Sequence, residues 1–182
     1  VDRSQHVSNI KLDQETGLEL LKEFRNGSDR ATKCHVTLEI LWVVGCRMGG
    51  ARGLDLRDVD RDANVLEFRH RPSSDTPLKK AERGERDVGV PEATMKVIGE
   101  WIDFKRPSVR DEHGRQPLLA TPNGRVSLSA LRNWSYFATV PCRVQDCPHQ
   151  KQRATCDWYT TTAAMECPSS RSPHQVRSGS IT

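Results

Sequence analysis

Arg47, in Gly45-Cys46-Arg47-Met48-Gly49-Gly50, and Arg177, in Pro173-His174-Gln175-Val176-Arg177, lie far apart in the chain, yet their settings suit one phosphate held from two sides. A guanidinium is planar, permanently charged and matched to phosphate oxygens two at a time, so it favours a phosphodiester whose charge grows in a transition state. That chemistry is strand transfer on DNA or RNA. Gly45, Gly49, Gly50 and Gly53 crowd around Arg47 and permit positive φ or close approach of a ligand to the backbone. They would equally serve a plain helix end and turn.

Further motifs stand between the two arginines: Leu54-Asp55-Leu56-Arg57-Asp58-Val59-Asp60, a lysine-bearing stretch ending Gly84-Glu85-Arg86-Asp87-Val88, and Cys167-Pro168-Ser169-Ser170-Arg171-Ser172-Pro173-His174. With Gly45-Cys46-Arg47 and His174-x-x-Arg177, their order and spacing resemble the catalytic domain of the tyrosine recombinases, the phage-integrase family, and most of all its archaeal integrases. The resemblance covers residues 10–182 and leaves 1–9 as a linker remnant. It implies an α+β, mainly helical domain with a small antiparallel three-stranded sheet. It also implies double-stranded DNA as substrate, self-association on that DNA, and catalysis without a metal.

In that family a tyrosine attacks the scissile phosphate, giving a 3′-phosphotyrosine and a free 5′ hydroxyl that then attacks a partner duplex. The resemblance assigns Arg47 and Arg177 to the non-bridging oxygens, and His174 to proton transfer and phosphate fixing. A hairpin lysine protonates the leaving 5′ oxygen. Lys79 is the first choice and Lys80, its neighbour on the opposite face of an extended chain, the second. The plain alternative is a solvated hairpin tip, in which Lys80, Glu82, Arg83 and Glu85 serve solubility.

The chain departs from the family pattern in two places. Gly50 stands where the family usually has an acidic residue three positions after the first arginine, so Arg47 needs support from elsewhere, with Arg57, Asp58 and Asp60 the nearby candidates. The family's nucleophilic tyrosine follows His-x-x-Arg, whereas Tyr136 and Tyr159 precede it and the sequence ends five residues after Arg177. The expectation is a catalytic domain truncated before its nucleophile, which binds DNA but does not cleave it alone. A competing class is a non-enzymatic, zinc-stabilised DNA-binding module or remnant. A type IB topoisomerase-like enzyme uses similar chemistry, but the Pro-His-x-x-Arg box fits the recombinases better.

Composition agrees with these readings. The chain of 182 residues is long enough to bury one core, and its net charge of +4 favours a polyanion only mildly. No run approaches the ~18 apolar residues of a membrane span and no signal peptide opens the sequence, which gives a cytoplasmic protein as the expectation.

Several elements must position these residues. Asp13 caps a helix carrying Leu18, Leu21 and Phe24, ended by Asn26-Gly27. A second helix from about Lys33 to Val44 is apolar on more than one face, as a segment buried on most sides should be, and delivers Arg47. Val65–Arg69 and Arg86–Val90 alternate as strands, with Thr76-Pro77-Leu78-Lys79 between them. Pro91 and Glu92 open a helix with Met95, Ile98, Trp101 and Ile102 inward, closed by Pro107. Leu118–Thr121 is extended and turns at Asn123-Gly124, and Ser127 caps a helix bearing Leu128, Leu131 and Trp134 for packing.

An insertion at about 141–172 holds four of the six cysteines, Cys142, Cys147, Cys156 and Cys167. The first interval falls within structural zinc spacing, and four thiolates complete a tetrahedral shell; His149 could replace one ligand. Free reduced cysteines or a disulfide are the alternatives, and the missing export signal speaks against the disulfide. Cys34 and Cys46 read as small core residues.

Overall fold

The computed structural model describes residues 12–140 together with Arg143 and Val144. Helix α1, Gln14–Asn26, starts where the Asp13 carboxylate accepts the Thr16 amide at 2.9 Å and its hydroxyl at 2.8 Å. Those bonds hold the Asp13 carboxyl below its usual range. Leu20, Leu21 and Phe24 point inward, whereas Leu18 is 53% exposed, so the helix buries a narrower stripe than its apolar content implies. Gly17 lets this helix sit against Trp42, because a Cβ there would lie 2.4 Å from the indole ring.

Helix α2, Lys33–Val44, has the expected bounds, with His35 through Leu41 buried without interruption. Thr32 caps its start, and Gly45 ends it in the left-handed region, at φ 62° and ψ 24°, a conformation that favours glycine. Helix α3, Met48–Gly53, follows at once with Arg47 as its N-cap residue. The chain therefore reverses between the most buried helix and a short one, and Arg47 sits at the reversal.

The sheet is antiparallel, in the order β1 (Val59–Asp60), β2 (Val65–Phe68), β3 (Arg86–Gly89). Its register pairs Val59 with Leu66, Leu66 with Val88 and Phe68 with Arg86. Leu66 and Phe68 alternate inward, as the sequence pattern requires. Strand β1, two residues long, is too short to show alternation, so only its partners were legible beforehand. The β2–β3 connection is built from short 3-10 turns at Pro72–Ser74 and Ala81–Gly84. Lys79 and Lys80 lie in the turn entering the second of these, not on an extended chain, so the alternation of an extended strand does not apply to them.

Helix α4, Glu92–Glu100, continues into a π-helical turn, Trp101–Lys105, which the Arg106 amide closes onto Trp101 O at 2.7 Å just before Pro107. The Trp101 indole donates to Leu118 O at 2.9 Å, tying this turn to a second, two-stranded sheet of β4 (Ala120–Thr121) and β5 (Gly124–Arg125). Ser127 then caps α5, Leu128–Ala138, by accepting the Ala130 amide. Leu131 and Trp134 pack inward as expected. Leu128 is 47% exposed, because the first helical position faces out past the cap.

The main core joins α2, α3, α4, α5 and the sheet through Val36, Ile40, Leu54, Leu66, Phe68, Ile98 and Leu131; a smaller one joins α1 to α2 through Leu20, Leu21, Phe24 and Leu38. Each such side chain stabilises the fold by roughly 1.5–3 kcal/mol. Cys46 belongs to the main core, while Cys34 is only half-buried. Among the described residues no helix is long and apolar enough to cross a membrane.

Candidate functional site

Arg47 is exposed, and among the described residues its side chain makes no hydrogen bond or ion pair. The three residues expected to support it have other roles. Asp58 is buried and takes the Arg71 guanidinium on both oxygens, at 2.7 and 2.6 Å, which holds Arg71 more firmly charged than usual. Asp60 accepts the amides of Asp62 and Ala63 in its own turn, and Arg57, 63% exposed, faces Asp55 at 3.6 Å.

What fixes α3 lies at its other end. Arg125 Nη1 donates to Arg52 O at 2.7 Å, and Arg115 Nη2 donates to Gly53 O at 3.3 Å, so two guanidinium groups take up the last carbonyls of the helix. Both arginines are anchored on the buried Asp55 carboxylate, Arg115 Nε at 2.6 Å and Arg125 through Nη2. Asp111 braces Arg125 from a second side at 2.8 Å. Burial raises the Asp111 carboxyl, but the Arg115 amide and Arg125 outweigh that and leave it below its usual range. Arg115 Nη1 also reaches the Ser74 and Thr76 hydroxyls, which links the base of the β2–β3 connection to the same lattice.

That connection approaches the Arg47 turn through a chain of close neighbours. A Cβ at Gly84 would lie 3.5 Å from Lys80 Cβ, and Arg86 Nη1 donates to Gly84 O at 3.1 Å. The Arg86 guanidinium sits 4.5 Å from the centroid of the Phe68 ring. The ring in turn lies 3.5 Å from a Cβ built at Gly50, and Cys46 Cβ lies at 4.0 Å. Gly50 thus directs any side chain toward an apolar ring, a poor seat for the missing carboxylate. Burial pushes the Cys46 thiol up to about 12, against the small opposing pull of Arg86.

The connection itself is stapled. His70 Nδ1 accepts the Leu78 amide at 2.9 Å, and the His70 amide donates to Glu85 Oε1 at 2.7 Å. Lys79 and Lys80 remain exposed, with no ion pair among the described residues.

A search of family models finds no match, and a search of curated proteins likewise finds none. Among solved structures the crystal structure of XerA recombinase matches. The fold resembles that of XerA recombinase. The TM-score is 0.55 at 18% identity, over 76% of this chain and 43% of that one, so the likeness speaks for the fold and for an α+β, mainly helical domain. This chain spans less than half the length of the XerA recombinase chain.

His174, Arg177, Cys142, Cys147, His149, Cys156 and Cys167 lie outside the described residues. Among the described residues no cluster of His, Cys, Asp and Glu is arranged to hold a metal. The described part of the candidate site is the exposed Arg47 at the start of α3, with the Asp55 lattice at the far end of that helix. Sequence reading missed Arg86, Phe68 and the Asp55–Arg115–Arg125 group as participants; Arg86 and Asp55 had a signal, their places within quoted motifs.

Proposed function

We propose that the chain forms the phosphate-binding part of a tyrosine-recombinase catalytic domain acting on duplex DNA. The observation carrying this reading is Arg47: an exposed guanidinium without a carboxylate partner among the described residues, held at a left-handed helix reversal in a fold that resembles XerA recombinase. Carboxylates elsewhere pair with most of the described arginines, and an unneutralised one at a fixed turn is suited to an external anion.

In this reading Arg47 and Arg177 hold the non-bridging oxygens of the scissile phosphate, and His174 assists proton transfer. Lys79 protonates the leaving 5′ oxygen, with Lys80 the alternative. The backbone lattice on Asp55 keeps α3, and so the Arg47 turn, from moving as the phosphate changes charge. Tyr136 and Tyr159 both precede the His174-x-x-Arg177 box, so neither matches the position of the family's nucleophile. Copies associate on the DNA, as the family does. Cys142, Cys147, Cys156 and Cys167 bind one structural zinc, which contributes no step of the chemistry.

Fluorescence anisotropy with labelled duplexes across a salt series tests the binding. Weak, largely sequence-independent affinity that falls as salt rises, and falls further in Arg47→Ala, is the expected result. Affinity absent at low salt, or indifferent to salt, overturns the reading. A second reading, a DNA-binding module that never cuts, draws support from Gly50 in place of an acidic residue. A denaturation-resistant adduct on nicked duplexes would overturn that module.

A further inference from the structure

Charge is distributed unevenly over the described arginines. Arg25, Arg30, Arg52, Arg57, Arg61, Arg69, Arg71, Arg115, Arg125 and Arg143 each face a carboxylate within ion-pair distance. Arg106 and Arg110 donate to backbone carbonyls instead. Arg47, Arg83, Arg86 and Arg132 belong to neither group, and of these Arg86 is the one seated on an aromatic ring. It is exposed, donates a single bond to Gly84 O, and has no carboxylate within ion-pair distance among the described residues. Its acidic chain neighbours are engaged elsewhere, Glu85 with the His70 amide and Asp87 with Arg69 at 2.6 Å; Glu82 is exposed.

Arg86 is also held in place. Its guanidinium lies over the Phe68 ring, and Phe68 is fully buried beneath it, so the cation rests on a fixed platform. The same ring supports Gly50, and Cys46 packs beside Gly50, so the platform is shared with the turn that carries Arg47. One piece of core therefore seats the Arg86 guanidinium and the turn that carries Arg47. A guanidinium has five donors, and the contact with Gly84 uses one.

We infer that Arg86 is a further DNA contact, binding a backbone phosphate of the same duplex that Arg47 engages, with Phe68 as its seat. The inference rests on the reading of the chain as a duplex-DNA binder and adds to it a residue and a mode of positioning. A phosphate contact of this kind adds affinity without sequence preference. The bland alternative is that Arg86 only covers the Phe68 ring, in which case its removal changes stability and leaves DNA binding alone.

The experiment compares wild type, Arg47→Ala, Arg86→Gln, Arg86→Lys and Arg61→Ala by anisotropy on two unrelated duplexes over a salt series, with melting temperatures recorded for each. Arg86→Gln keeps an amide over the ring while removing the charge. Arg61 loses the same charge but is tied to Asp103 at 2.8 Å. Arg86→Gln should reduce the slope of log affinity against log salt by about one and weaken binding about tenfold at 0.1 M salt on both duplexes. Arg86→Lys should keep the slope, and Arg61→Ala should leave it unchanged. Wild-type binding with an unchanged slope in Arg86→Gln overturns this inference and leaves the DNA-binding reading standing. An equal slope loss in Arg61→Ala overturns it too, because any lost charge would then suffice. Absence of wild-type binding overturns the reading on which it rests.

Discussion

Arg125 joins Asp55 to the end of α3: its Nη2 donates to Asp55 Oδ1 while its Nη1 donates to Arg52 O at 2.7 Å. One interior guanidinium therefore couples a carboxylate to the carbonyl end of the helix whose other end is Arg47. Removing the carboxylate leaves Arg115 without its ion partner and Arg125 with Asp111 alone. Asp55→Ala should lower unfolding free energy by about 3 kcal/mol, the cost of breaking a buried pair from one side. Urea unfolding checks this, and a loss below ~1 kcal/mol would mean that Asp111 alone suffices.

The elements that deliver Arg47 were legible because their signals are local. Val36, Leu38, Ile40, Leu41, Val43 and Val44 lie close together just before Gly45, so α2 could be read with both ends in place. Strands β2 and β3 showed alternation. The lattice behind α3 was not legible: Asp55 and Arg125 are 70 residues apart, and no helical or strand period relates them. Exposure of Leu18 and Leu128 escaped for a related reason, since apolar identity does not say which side of a helix meets the core. The Lys79–Lys80 turn depends on Leu78 and His70, eight residues apart, closing onto each other.

Glu39 makes stability depend on acid. It is fully buried at the meeting of α1, α2 and α4, accepting from Arg25 at 2.7 Å, from the Thr94 hydroxyl at 2.9 Å and facing His35 Nε2 at 3.2 Å. His35 Nδ1 accepts the Ala31 amide, so Nε2 carries the proton directed at Glu39. Burial pushes the Glu39 carboxyl up, but His35 and Arg25 outweigh it and hold it below 4.5. A depressed folded value means the contribution is complete above 4.5 and lost as pH falls through the folded value. Thermal melting from pH 7 to pH 3 should show a decline that is shallower in Glu39→Gln, which should also be about 2 kcal/mol less stable at pH 7. Parallel curves would show that other carboxylates, Asp111 among them, carry the acid sensitivity.

Cys46 should be chemically silent despite its place next to Arg47. Burial moves its thiol from 9.0 to about 12, which lowers the thiolate fraction near pH 8 by roughly a thousandfold, and the side chain is 6% exposed. Iodoacetamide at pH 8, followed by peptide mass mapping, should leave Cys46 unmodified in the folded protein and label it in urea. Labelling of the native protein at the rate of an ordinary thiol would show that the turn opens in solution.

The four cysteines at Cys142, Cys147, Cys156 and Cys167 lead to a measurement independent of DNA. Four thiolates complete the tetrahedral shell that zinc prefers, and a metal bound only by the folded state adds its binding free energy to stability. Purified, reduced protein should carry one zinc per chain by elemental analysis. A chelator should lower the melting temperature, and the paired change Cys142→Ser with Cys147→Ser should abolish both the metal and the chelator effect. The same pair should leave the Arg47 contribution to duplex binding intact, because Arg125, Arg115 and Asp55 hold α3 through residues that precede the cysteines in the chain. Protein that is free of zinc and indifferent to chelation would assign the cysteines to another role and leave the phosphate site as described.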